Sequence, residues 1–172
     1  EYRRQRQMCI RDRLAGFLNA KYLAIGINDV DVKRFDEFFY QQHQVDFELR
    51  WTNGAVTPGP KSLELYSQLN PKNEPYLLVC NHESGLISYS LNIANPQNKK
   101  IIEVEALTNN IFDWAHLILN ADEIHTIDTA FVHVIESLLY DKTPPPIYYH
   151  RVRKTLGEFT RRLPWTTVIY AS

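Results

Sequence analysis

The stretch from Ala121 to Leu139, ADEIHTIDTAFVHVIESLL, constrains the fold more than any other part of this chain. Glu123 to Ile127 interleaves β-branched and polar residues, the pattern of a short strand. Asp128 and Thr129 follow, and either side-chain oxygen can accept a free backbone N–H at a helix start. Phe131, Val134, Ile135, Leu138 and Leu139 then recur at helical spacing and make an apolar stripe. A strand that runs straight into a capped helix exposes unpaired N–H groups at the positive end of a helix dipole, where phosphate or another anion can sit. Most strand–turn–helix joints bind nothing, so an ordinary structural joint stands beside the anion-site reading.

Elsewhere strands and helices alternate. YLLVC (76–80) is an apolar run between Pro75 and Asn81 and reads as a buried parallel strand. KKIIEVE (99–105) is a second strand. Asn109 or Asn110 caps a helix through about Leu119, with Ile111, Ala115 and Ile118 inward. The Pro144–Pro146 break precedes a strand IYYH (147–150); a helix around 154–162 and a strand TTVIY (166–170) follow. Upstream, YLAIGI (22–27) has strand character, and Asp29 and Asp31 precede a helix over 32–41. VDFELRW (45–51) adds a helical turn, and Lys61 to Leu69 a further helix. This alternation indicates βαβ units and an α/β fold on a mainly parallel sheet.

Composition limits the alternatives. The 172 residues suffice for one domain with a real core, and 44% hydrophobic with 23% charged residues is ordinary for a globular protein. No apolar run approaches the roughly 20 residues of a membrane helix, so no integral membrane segment is expected. The sequence also reads without a signal peptide. Cys9 and Cys80 alone make no disulfide framework, and a reducing, cytoplasmic setting is the default. The net charge of −1 divides into +3 over residues 1–13 and −4 over the rest. The body is mildly acidic and offers no basic face for nucleic acid.

Chemistry-bearing residues gather where open α/β sheets place ligands, at the C-terminal ends of strands. His82 and Glu83 follow the 76–80 strand in a loop that contains Gly85. His82 can contact a diphosphate or serve as acid or base; the alternative is an exposed pair without a role. Glu105 ends its strand at the same edge and can accept hydrogen bonds from ribose or sugar hydroxyls. His150 and Arg151 end another strand, and an Arg fork suits phosphate, although a surface ion pair is its usual fate. His125 reads as a satisfied core histidine, Asn110 and Asp113 as caps, and Trp51 with Arg50 as core packing rather than a stacking platform. The histidine spacings match no zinc motif, so no metal is expected. No G-x-S-x-G, P-loop or G-x-G-x-x-G occurs, which argues against hydrolase, kinase and dehydrogenase chemistry.

The residues ADEIHTIDTAFVH resemble the pattern near the nucleotide-sugar site of bacterial heptosyltransferase-like glycosyltransferases. In that family an A-(D/E) pair leads into a strand, and D-(S/T)-G-x-x-H opens a helix beneath the donor phosphates. Asp128, Thr129 and His133 match; Ala130 stands where the family has Gly, which lets phosphate approach the backbone more closely. The stretches FYQQHQVDFELRW, NIFDWAHLI, EIHTID and YYHR are similar to uncharacterised glycosyltransferase-like proteins. From about Lys21 onward the chain resembles the C-terminal, donor-binding half of a GT-B-type enzyme. The resemblance implies a Rossmann-like three-layer αβα domain over 71–172, with a helical linker segment over 14–70. It also implies metal-independent transfer from a nucleotide-sugar donor to a glycan acceptor in cell-surface polysaccharide or lipopolysaccharide synthesis. The nucleotide-sugar enters as substrate, and no cofactor is expected. Backbone N–H groups of Thr129 to Phe131 would hold the diphosphate, with His133 assisting. A non-catalytic Rossmann-like module for a nucleotide or phosphosugar is the alternative.

EYRRQRQMCIRDRL at the start has no apolar periodicity and resembles a translated sequencing-adapter peptide from assembled metagenomic DNA. Residues 1–13 are therefore set apart, as an expected unpacked tail on a fragment whose upstream part is missing.

Overall fold

A computed structural model describes residues 17, 35–54, 56–83, 87–153 and 160–170. The expected tail at 1–13, the 22–27 strand, Asp29 and Asp31 with the start of the 32–41 helix, Gly85 and most of the 154–162 helix lie outside the described residues.

Five strands form one sheet: β1 (Tyr76–Cys80), β2 (Lys100–Glu103), β3 (Glu123–Ile127), β4 (Ile147–Arg151) and β5 (Thr166–Ile169). Their order is β2-β1-β3-β4-β5, and every pairing is parallel. All five residues of β1 are buried, as a central parallel strand demands. This is the α/β fold that the alternation of periodicities predicts. Among the described residues, helices α1 (Phe35–Gln41), α2 (Leu49–Thr52), α3 (Pro60–Leu69), α4 (Ala115–Leu119) and α5 (Ala130–Leu139) accompany the sheet. No helix among the described residues is long and apolar enough to cross a membrane.

Local chemistry sets the helix ends. α3 starts with Pro60 at its first helical position, where the missing N–H costs nothing and the ring presets φ. α2 ends at Asn53, and a Cβ on Gly54 would collide with the Arg50 carbonyl, so the chain can leave the helix there only without a side chain. A 3₁₀ turn, Ile111–Trp114, leads into α4, with the Asn110 side chain accepting the Phe112 N–H at 3.1 Å. The cap is the one expected. Ile111 is not inward, however: the tighter 3₁₀ turn rotates it out of the helical stripe, and it stands 36% exposed.

The alternate residues of each strand divide the sheet into two unlike faces. Tyr76, Leu78, Ile102, Ile124 and Ile147 point into the main core, against Leu65 of α3, Leu117 and Ile118 of α4, and Phe131, Ile135 and Leu138 of α5. Leu77, Val79, His125, Tyr148, His150 and Val168 belong to the opposite face, where Asn92, Ala94 and Pro96 of the β1–β2 connection lie over Glu123, His125, Tyr148 and His150.

One buried carboxylate joins the periphery to this core. Glu136 on α5 is 1% exposed. It accepts Trp51 Nε1–H at 3.2 Å, Trp165 Nε1–H at 2.6 Å, and the backbone N–H groups of Arg162 and Leu163 at 3.0 and 3.1 Å. Trp51 is 2% exposed, so its role is packing, with the Arg50 and Arg162 guanidinium groups over its ring. Replacing Glu136 by Ala strands four donors at once. Glu136→Ala is expected to lower the unfolding free energy by about 3 kcal/mol or more, read from denaturant titration. A loss below 1 kcal/mol would contradict this role.

Candidate functional site

The strand order creates the site. From β1 the chain passes to β2 on one side of it, while β3 lies on the other side. The loops after β1 and β3 therefore diverge, and a crevice opens between them at the C-terminal edge, the switch point where open α/β sheets bind ligands. A cleft of about 480 Å³ occupies that place. His82 and Glu83 enter it from the loop after β1, Glu105 from the loop after β2, and Asp128, Thr129 and Ala130 from the β3–α5 joint. Val104, Ile111 and Trp114 give it an apolar wall, and Thr108 to Asn110 a polar rim.

The loop after β1 is folded back on itself. His82 and Ser88 make an isolated antiparallel bridge, Glu83 N–H donates to Ile87 O at 3.1 Å, and Tyr89 N–H donates to Asn81 O at 2.8 Å. Tyr89 Oη also donates to Glu83 Oε1 at 3.3 Å, which fixes that carboxylate toward the cleft. Opposite it, the Thr129 hydroxyl accepts the Phe131 N–H at 3.3 Å, and the Val132 N–H turns onto Thr129 O at 3.1 Å. Two of the first three amides of α5 are thereby engaged. The Ala130 N–H, at the exposed first position of the helix, carries the outward positive end of the dipole.

Arg153 is the cation of the cleft. Its Nη1 donates to Glu83 Oε2 at 2.7 Å, and its Nη2 donates to the Asp128 carbonyl and lies 3.6 Å from Asp128 Oδ2. Burial pushes the Asp128 carboxyl up from its ordinary value, while Arg153, Arg161 and Arg151 pull it down in that order. Cys80, buried beneath the joint, has its thiol pushed up by the same desolvation, so it is a poor nucleophile. Of the lining groups, Glu83, Glu105 and Asp128 bring acceptors, against the one guanidinium of Arg153 and the imidazole of His82. Hydrogen-bond acceptors therefore predominate among the described lining groups, beside the exposed start of α5.

Six of the nine residues singled out from the sequence meet here: His82, Glu83, Glu105, Asp128, Thr129 and Ala130. Three lie elsewhere. His133 is one turn into α5 and turns its Nδ1 to Arg50, away from the cleft. Burial first, and then the Arg50 charge, depress its pKa. His150 points to the opposite face of the sheet, because its neighbour Tyr149 takes the helix-covered side beside Trp165. Arg151 is exposed and outside the lining. Arg153 was not legible as a site residue. Val152 N–H bonds back to His150 O at 3.0 Å, and this tight turn, which the sequence does not announce, swings Arg153 into the cleft. Among the described residues no group of three or more His, Cys, Asp or Glu is placed to hold a metal ion.

What this architecture defines is a Rossmann-like α/β domain with a ligand-sized cleft at its switch point. No protein-family model, curated protein or solved structure matches the chain.

The ion pairs of the cleft set its titration. Removing Arg153 leaves the burial of Asp128 less opposed, so its carboxyl pKa should climb further. Carbon-13 NMR of the aspartate carboxyls is expected to show the Asp128 resonance titrating at higher pH in Arg153→Ala than in the parent. An unchanged midpoint would remove Arg153 from the electrostatics of the site.

Proposed function

We propose that the cleft binds a nucleotide-sugar and that this domain is the donor-binding part of a glycosyltransferase. The observation that carries the reading is the meeting, at the β1/β3 switch point, of a capped helix start with a rim of hydroxyl-binding side chains. In this reading the donor diphosphate lies over the Ala130 N–H, where the α5 dipole favours negative charge. Glu83, Glu105 and Asp128 accept hydrogen bonds from ribose and sugar hydroxyls, and the apolar wall of Val104, Ile111 and Trp114 takes the base or a ring face. The leaving nucleoside diphosphate gathers negative charge as the glycosidic bond breaks, and fixed N–H dipoles stabilise that charge without reorganising. Arg153 adds its own charge as far as its carboxylate partners release it. The glycan acceptor and the base that deprotonates it belong to the same proposal. The similarity of ADEIHTIDTAFVH to heptosyltransferase-like enzymes supports it, although His133, assigned to the phosphate by that similarity, is engaged by Arg50.

The test exploits the helix start. Thr129 has extended backbone, φ −142° and ψ 172°, which suits a residue before proline, and Ala130 holds the first helical position, where proline is well tolerated. Ala130→Pro therefore deletes the outward N–H and leaves the helix in place. Calorimetric titration with nucleoside diphosphates is expected to show a loss of about 1.5–3 kcal/mol in Ala130→Pro, the worth of a charge-assisted hydrogen bond. His133→Ala should bind as the parent does. Equal affinity in Ala130→Pro and the parent, with circular dichroism unchanged, would overturn the phosphate position. Absence of any binding at millimolar nucleotide or nucleotide-sugar would overturn the function.

A further inference from the structure

The opposite face of the sheet holds a second polar system, separate from the cleft. Glu123, His125, His150 and Tyr170 form one continuous chain of hydrogen bonds. Glu123 Oε1 meets His125 Nε2 at 2.7 Å, His125 Nδ1 meets His150 Nε2 at 2.9 Å, and His150 Nδ1 meets Tyr170 Oη at 2.7 Å. Asn92 N–H donates to the same phenol oxygen at 3.0 Å. His150 is fully buried and His125 is 3% exposed. A cavity of about 350 Å³ adjoins them, lined by Asn92, Ala94, Pro96, Tyr148 and Val168 besides the chain members.

With Glu123 ionised and both imidazoles neutral, only one ordering of protons satisfies every contact. His125 carries its proton on Nε2 and gives it to Glu123, which leaves Nδ1 bare. His150 must then donate from Nε2, which leaves its own Nδ1 bare for the Tyr170 O–H. The phenol oxygen accepts the Asn92 N–H. Every bond points the same way, from the Asn92 amide to the Glu123 carboxylate. One added proton reverses part of the chain and turns the Tyr170 O–H away from His150. A second sets two N–H groups and two positive charges face to face across 2.9 Å. The first arrangement keeps the contacts but puts a positive charge on the buried pair and leaves the Tyr170 O–H without its His150 acceptor; the second breaks the His125–His150 bond.

The chain spans separate parts of the protein. Asn92 belongs to the β1–β2 connection, His125 and Glu123 to β3, His150 to β4, and Tyr170 directly follows β5. Among the described strands β5 pairs with β4 alone, and three of its four residues are exposed. It has little apolar burial of its own to hold it, so a polar tie at its C-terminal end matters.

We propose that Glu123, His125, His150 and Tyr170 form a proton-controlled latch, which holds the C-terminal end of β5 and the Asn92–Pro96 segment on the sheet while both imidazoles are neutral and releases them on protonation. Burial depresses both imidazoles, His150 to about 4 from an ordinary 6.5, with the neighbouring His125 adding to the effect. Glu123 opposes this at His125 by hydrogen bond and charge. Among the described residues, the other polar groups facing the pair are the Tyr148 ring, stacked on His125 at 4.7 Å, and the Tyr170 phenol; the 92–96 segment brings no charge. A group with a depressed folded pKa stabilises the fold above its unfolded value and loses that stabilisation as pH falls toward the folded one. The latch therefore weakens progressively as pH falls from about 6.5 toward the His150 value of about 4.

Two readouts on the whole chain test this. Nitrogen-15 imidazole spectra at pH 7.5 are expected to show both His125 and His150 neutral and protonated on Nε2. Amide protection factors at Asn92 and Val168 should fall by about tenfold or more between pH 7 and 4.5, while Ile124 in β3 stays protected. Tyr170→Phe, at a half-buried position that leaves the sheet intact, should show low Asn92 protection already at pH 7 and lose its pH dependence. Nδ1-protonated or cationic imidazoles at pH 7.5 would overturn the proposal. So would loss of protection at Ile124 together with Asn92, which is general acid unfolding, or a Tyr170→Phe profile identical to the parent's.

Discussion

A single buried carboxylate decides whether the outer segments of this protein are part of its core. Moving a carboxylate such as Glu136 out of water costs several kcal/mol. Four N–H donors converge on it, and charge-assisted hydrogen bonds of about 1.5–3 kcal/mol each are of the size needed to offset that cost. The donors come from places far apart in the chain: Trp51 in α2, and Arg162, Leu163 and Trp165 before β5. They cannot reach Glu136 unless α2 lies on α5 and the 160–165 segment crosses the same end of that helix. The interaction is therefore directional where the apolar core is not. Hydrophobic burial would tolerate many placements of Trp51 and Trp165; the carboxylate accepts one.

Fixing α5 in this way has a consequence at its other end. The helix start at Thr129 and Ala130 is the floor of the cleft, and its position relative to β1 depends on how the body of α5 is seated. Phe131, Ile135 and Leu138 press on the sheet, and Glu136 ties the outward side to the peripheral segments. His133 and Arg50 sit on that outward side as well, with Arg50 Nη1 held by Asp36 at 2.8 Å. The peripheral helices thus contact α5 beyond the cleft: they hold the helix, and the start of the helix lines the cleft.

How far the sequence revealed this follows from the range of each interaction. The strands at 76–80, 123–127 and 147–151 and the α5 helix are local patterns of period 2 and 3.6, and they were legible residue by residue. The Thr129 and Asn110 caps were legible for the same reason. His125 was correctly read as a satisfied core histidine. Glu136 was not legible as a hub, because within α5 it is simply the polar residue beside Ile135, and its partners lie 26 to 85 residues away. His150 was placed at the cleft by its position at a strand end, although alternation with Tyr149 sends it to the other face. Arg153 was missed because a turn at Val152, not a periodicity, aims it. The strand-into-capped-helix pattern singled out the β3–α5 joint, and the resemblance added His133, whose Nδ1 meets Arg50.

The two faces of the sheet show why a short chain can carry both a cleft and a separate polar chain. Helices α3, α4 and α5 crowd one face with Leu, Ile and Phe, and the larger apolar cluster among the described residues lies there. The other face is covered over β3 and β4 by the irregular 92–96 segment, whose backbone has no sheet or helix ladder to satisfy it. Polar side chains on the strands then become useful rather than costly, since Tyr170, held by His150, gives the segment's Asn92 amide an acceptor. The same economy operates at the C-terminal edge, where Glu83 and Asp128 hold Arg153 and so brace the loops that the switch point separates. In both places an irregular connection is fixed by charge or hydrogen bonding instead of packing. Those are the parts of the molecule on which the proposed donor and the proposed latch would act.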